Sequence, residues 1–177
     1  MKSSALIWVP LGLFAVFVVV LSLGLGRPET QVVTSKMIGK PLPKFALPAG
    51  ASSAEGLTSK EFSDGKPRLL NIFASWCVPC AAEAAQLATL AQRGVIIEGV
   101  AVRDARPDVD AFLSRYGNPY RHIGLDERSA LQFSLGSSGV PETYVIDGKG
   151  VIRYQHIGAI NASDIETIMA RLADAGA

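Results

Sequence analysis

The stretch "NIFASWCVPCAAEAAQL", residues 71–87, holds both cysteines of a 177-residue chain. Only Val78 and Pro79 separate Cys77 from Cys80. The apolar run "RLLNIFAS" (68–75) leads into the pair and reads as a buried strand. Residues 77–92 read as an alanine-rich helix, with Gly94 as its stop. A strand therefore ends, and a helix begins, at Cys77. Unpaired backbone N–H groups and the helix dipole favour an anion at that point, so the Cys77 thiolate is stabilised. A thiolate is the attacking species in disulfide exchange. Cys80, about one turn further in, is placed to be less exposed and to resolve a mixed disulfide. Trp76 can cover one side of the pair, and Pro79 falls in the first turn, where a missing N–H costs little.

Other uses of two cysteines fit less well. A zinc site needs three or four ligands, and His122 and His156 are far away in sequence. Covalent haem attachment needs a histidine directly after the second cysteine, and residue 81 is alanine. A purely structural disulfide would close a very small loop and restrain little of the unfolded chain. A redox pair remains. The rival from another class is a copper-binding module using the two thiols as ligands, but Met1, Met37 and Met169 are scattered along the chain.

Outward from the pair the chain alternates. "VIIEGVAV" (95–102) is a second buried strand. Pro107 opens a helix with Val109, Phe112, Leu113 and Tyr116 on one face, stopped by Gly117. Residues 127–136 suggest a short helix. "ETYVID" and "VIRYQHIG" are strands joined at "DGKG". Ser163 with Glu166 three residues on forms a capping box for a final helix carrying Ile165, Ile168, Met169 and Leu172 on one face. A further strand is expected around "KFALP" (44–48). Tyr144 and Tyr154 read as sheet packing, and His122 and His156 as structural or surface residues. The order predicts an α/β fold with a mixed central sheet and helices on both faces.

The first 26 residues differ in kind. From Ala5 to Gly26 there is no charged residue. Such a run at 1.5 Å per residue reaches about 33 Å, enough for a hydrocarbon core of roughly 30 Å. A cleavable signal has a shorter apolar region, about 7–15 residues, and a small-x-small site. The expectation is an uncleaved N-terminal membrane anchor over 1–26, crossing at residues 5–26. Residues 27–44, with prolines at 28, 41 and 43, would be a tether, and 45–177 the folded domain. Lys2 and the free amine precede the run, which favours the N-terminus inside and the domain across the membrane. With 17 basic and 16 acidic residues well mixed, no stripe suggests nucleic acid.

"FASWCVPC" resembles the thioredoxin superfamily, and "GVPETYVIDGKGVIRYQHIG" (139–158) resembles its membrane-anchored CcmG/DsbE branch, which serves cytochrome c maturation. The resemblance covers roughly residues 36–172 and implies a thioredoxin-like fold. It implies that Cys77 is the exposed nucleophile, Cys80 the buried resolving thiol, and Cys77–Cys80 a redox-active disulfide. Val140–Pro141 matches a cis peptide facing the cysteines, with the Val140 backbone pairing with the substrate strand. Glu83 and Glu142 match acidic residues linked to the active site. Asn71 stands where ordinary thioredoxins place a buried Asp, so the two glutamates are the candidate proton acceptors, Glu83 through a burial-raised pKa. The family loop reads Gly-Val-x-Gly-x-Pro-Glu; here it is "GSSGVPE", with Ser137 at the Val position. The activity implied is periplasmic protein-disulfide reduction. The client would be an apocytochrome c Cys-x-x-Cys-His segment or a partner holding it, and a CcdA/DsbD-type membrane reductase would donate electrons. A general reductase of the TlpA or ResA type shares the chemistry. No haem, flavin or metal is required, and the location implied is the bacterial inner membrane, single-pass, with the domain in the periplasm.

Overall fold

An apolar sequence without a polar face makes Ser4–Leu25 (α1) a continuous 22-residue helix that runs through Pro10. The computed structural model describes residues 4–25 and 35–176, and along α1 the side chains of 8–21. Among the described residues no helix is long and apolar enough to cross a membrane. The remainder forms a separate unit.

That unit begins with a ribbon of two short antiparallel strands, Ala46–Leu47 (β1) and Leu57–Thr58 (β2), the expected strand around residues 44–48 being only two residues long. Then follow Arg68–Phe73 (β3), Val78–Gln92 (α2), Ile97–Val102 (β4), Arg106–Tyr116 (α3), Ile123–Asp126 (β5) and Ala130–Ser134 (α4). Glu142–Ile146 (β6), Ile152–Ile157 (β7) and Ile165–Gly176 (α5) complete it. The sheet order is β5-β4-β3-β6-β7. The β3–β4 and β4–β5 pairs are parallel, as crossover helices require, and β3–β6 and β6–β7 are antiparallel. The mixed sheet and its helices have the expected thioredoxin-like arrangement.

Side-chain alternation assigns the two faces. Asn71, Phe73 and Gly99 face α2 and α3: Phe73 stacks on Tyr120 at 4.8 Å and meets Phe112 at 5.8 Å. Arg68 and Glu98 point the other way and pair at 2.8 Å, fully buried, with the Arg68 guanidinium 5.7 Å from the Phe62 ring. This second face is covered by a 3-10 turn, Ser59–Ser63, and by the entering chain.

Three features depart from the sequence reading. Residues 35–44, expected as the end of a tether, are part of the folded unit. Gly39 donates to the Ile152 carbonyl at 2.7 Å, Ile152 to Lys40 at 3.0 Å and Leu42 to Gly150 at 2.8 Å, and Leu42 is buried. Prolines 41 and 43 are compatible with this because the segment lies at an edge, where a missing N–H can face outward. Strand β5 was not anticipated, since "IGLD" is short and interrupted by glycine. Gly124 is needed there because the ribbon lies directly on it; a Cβ would come within 2.8 Å of the Leu47 side chain. Finally, Ser163 and Glu166 do not cap the last helix. An earlier box forms instead: the Asn161 N–H donates to the Asp164 carboxylate at 2.8 Å, ahead of a 3-10 turn. Glu166 pairs with Arg93 at 2.6 Å.

Candidate active site

Four residues beyond the end of β3, Cys77 becomes the N-cap of α2, and its sulfur accepts a hydrogen bond from the Cys80 N–H at 3.2 Å. The local sequence explains this. Pro79 near the helix start needs no partner for its nitrogen, and the alanines behind it favour continued helix. The two cysteines form a disulfide with their Cα atoms 5.3 Å apart. In this oxidised form both are buried, Cys77 at 5% exposure and Cys80 at 2%. The nucleophile expected to be exposed is therefore only slightly the more accessible of the pair. The helix-start N–H directed at Cys77 provides the electrostatics that favour a thiolate once the bond is reduced.

Trp76 is 56% exposed, and its indole N–H donates to the Arg103 carbonyl at 3.1 Å. Arg103 adopts a left-handed backbone, φ 48°, in the loop after β4. The neighbouring Asp104 accepts from the Ser75 N–H at 2.6 Å and from its hydroxyl at 2.8 Å. Together these contacts tie the residues leading to Cys77 to that loop. An open groove of about 590 Å³ lies beside Trp76, lined in part by Ser75, Arg103, Asp104, Phe112 and Arg115. Sequence reasoning missed Asp104, for a lone aspartate after a strand carries no local signal.

The Val140–Pro141 peptide is cis. It lies at the same end of the sheet as the cysteines, because β6 runs antiparallel to β3 and its first residue, Glu142, pairs with Ile72.

Glu83, three residues after Cys80 on α2, is fully buried. Its two oxygens accept from the Asn71 amide at 3.0 Å and from the Ile160 N–H at 2.9 Å. Burial pushes its carboxyl up to about 7, against the opposing pull of those two donors. Asn71 also donates to the Thr143 hydroxyl at 3.0 Å and accepts from the Tyr120 hydroxyl at 2.8 Å. Tyr120 is held well above the usual phenol range, first by burial and then by the nearby Glu83 charge. Neither Tyr120 nor Thr143 was visible as a site residue in the sequence.

Glu142 does not join this group. Asn71 pairs across the sheet with Thr143, and Ile72 with Glu142, so Glu142 points to the face away from α2. The two glutamates, interchangeable candidates on sequence, are separated by the sheet itself. Tyr144, expected only to pack, donates its hydroxyl to Glu142 at 2.7 Å. Among the described residues no group of three or more His, Cys, Asp or Glu side chains is placed to hold a metal ion.

The arrangement can exchange disulfides: a sulfur at a helix start, a second sulfur in bonding reach, and a buried carboxyl that titrates near neutrality on the same helix. Comparison with known proteins agrees. The Redoxin family matches residues 37–169. The thiol:disulfide interchange protein DsbE of Tatumella citrea is 37% identical over 164 residues, 90% of this chain and 89% of that protein. Its namesake from Escherichia coli K12 is 39% identical over 127 residues, 72% of this chain and 69% of that one. A thio-disulfide isomerase structure from Thermus thermophilus superposes with a TM-score of 0.63 at 27% identity, over 79% of this chain and 97% of the other. A putative DsbE structure from Chlorobium tepidum, at 24% identity, shares the fold with a TM-score of 0.61 over 79% and 98% of the two chains. The chain thus belongs to the Redoxin family and, within it, to the CcmG/DsbE thiol:disulfide interchange proteins, and it is a protein-disulfide oxidoreductase.

Proposed function

We propose that this protein is a membrane-anchored periplasmic reductant whose client is the disulfide of an apocytochrome c Cys-x-x-Cys-His segment, or of a partner holding it, before haem attachment. The observation that carries the reading is Cys77 at the N-cap of α2 with the Cys80 N–H on its sulfur. In the reduced protein the Cys77 thiolate attacks one client sulfur. A mixed disulfide forms and the other client sulfur leaves as a thiolate. Cys80 then loses its proton and attacks Cys77. The Cys77–Cys80 disulfide forms, and the client departs with two electrons and both thiols. Glu83 is the proton acceptor for Cys80 in this reading, since its carboxyl titrates near 7. Val140 pairs with the client strand beside Pro141, and Trp76 flanks it. A CcdA/DsbD-type membrane reductase restores the dithiol; haem, flavin and metal take no part. Residues 5–26, uncharged throughout, supply a single-pass anchor in the bacterial inner membrane.

The test is trapping in cells. Cys80→Ser removes the resolving sulfur, so adducts accumulate through Cys77, whereas Cys77→Ser gives none. Adducts dominated by c-type apocytochromes or by the proteins that hold them support the reading. A broad set of unrelated periplasmic proteins would instead mark a general reductase, and equal trapping by both variants would overturn the assignment of roles.

A further inference from the structure

On the sheet face away from the cysteines, one carboxylate gathers four donors. Glu142 Oε1 accepts from the Ser138 N–H at 2.9 Å and the Ser138 hydroxyl at 2.7 Å. Its Oε2 accepts from the Tyr144 hydroxyl at 2.7 Å and the Gln155 amide at 3.0 Å. Glu142 is 1% exposed, and Tyr144 and Gln155 are buried with it. The set gives each oxygen one N–H donor and one hydroxyl. That is good geometry for a clamp, because burying a carboxylate is tolerable only when its oxygens are bonded.

What the clamp holds is the loop before the cis peptide. Glu142 fixes Ser138 from the sheet side. The next residue, Gly139, has its carbonyl bonded by the Ser137 hydroxyl at 3.0 Å and by the Gln132 amide at 3.2 Å. Val140 and Pro141 follow directly. The loop is pinned at Ser138 and Gly139, and its other end is the start of β6. Tyr144 and Gln155 are paired across β6 and β7, so the clamp rests on two strands of the sheet. Gln155 is itself fixed, its side-chain oxygen accepting from the Ser35 N–H at 2.7 Å. Ser137, the residue that departs from the family loop, is one of the pins.

We infer that Glu142 is a positioning residue that acts through Ser138 to hold the Val140–Pro141 segment in register for an extended disulfide-bonded peptide. The inference rests on the proposed pairing of that segment with the client strand. It extends to Ser138 and Ser137, which become determinants of peptide affinity.

The test uses the reduced full chain in mild detergent, as wild type, Glu142→Gln, Ser138→Ala and the double variant. Three disulfides are supplied: a small aromatic disulfide that needs no strand pairing, an extended peptide disulfide of unrelated sequence, and a Cys-x-x-Cys-His peptide disulfide. Both single variants should raise KM for the peptides by roughly three- to tenfold, the loss expected for one or two buried hydrogen bonds. The rate on the small disulfide and the midpoint of its pH profile should stay at wild-type values. The double variant should be no worse than the weaker single, because both act through one contact. Ser138→Ala leaves the carboxylate in place and keeps the test valid if Glu142→Gln fails to fold. A shifted pH midpoint in Glu142→Gln, or multiplicative effects in the double variant, would overturn the inference. So would a wild-type protein that handles peptides no better than the small disulfide. Equal wild-type rates on the two peptides would remove the cytochrome-type client while the positioning role stands.

Discussion

Replacing Glu83 with Gln should change how stability depends on pH by an amount that follows from its burial. In the folded protein the Glu83 carboxyl titrates at about 7, against an ordinary value of 4.5. The folded state therefore binds this proton more tightly than the unfolded chain. The resulting stabilisation is fully present below pH 4.5 and is lost as pH rises through about 7. A displacement from 4.5 to about 7 corresponds to roughly 3 kcal/mol at 1.36 kcal/mol per unit. Glu83→Gln keeps the shape and one acceptor oxygen for Asn71 or Ile160 but has nothing to titrate. The experiment is urea denaturation of the oxidised protein, in which the cysteines do not titrate, at intervals from pH 4 to 8. The stability of wild type minus that of Glu83→Gln should fall by about 3 kcal/mol across that range, with most of the change between pH 4.5 and 7. Taking the difference cancels groups common to both proteins, such as Asp64 and Asp147, whose lowered values give the opposite slope. A flat difference would show that Glu83 is not held near neutrality, and with it would go the argument that this carboxyl serves Cys80 as a base.

Asn71→Ala removes one of the two donors to Glu83 and the acceptor for Tyr120. It should cost about 1–3 kcal/mol in denaturant unfolding and move the Glu83 midpoint above 7, because a pull toward the charged form is lost. A chain starting at Gln31 should unfold cooperatively and reduce a model disulfide. One starting at residue 45 lacks the buried Leu42 and the backbone bonds to β7, and should be less stable by at least about 2 kcal/mol. Equal midpoints for the two shortened chains would return residues 35–44 to the role of tether.

The chemistry and the frame were legible in the order of the residues. Two cysteines three apart, between an apolar run and an alanine-rich helix, specify a sulfur at a helix start, because both signals are local. The alternation of strands and helices is local as well, and the mixed sheet follows from it. The final capping box was misplaced by two residues because two overlapping signals, Ser163–Glu166 and Asn161–Asp164, compete for the same N–H groups, and the earlier one forms. The surroundings of the two glutamates come from the folded chain. Along the chain each is an acid close to the motif. In the fold, Glu83 is buried by contacts with Asn71 and Ile160, the latter 77 positions away, while strand alternation turns Glu142 to the other face onto Ser138, Tyr144 and Gln155. Strand β5 and the packed segment 35–44 were hidden for the same reason. Their partners are distant in sequence, and neither a glycine-bearing tetrapeptide nor a proline-rich stretch carries a period that reveals which edge it will cover.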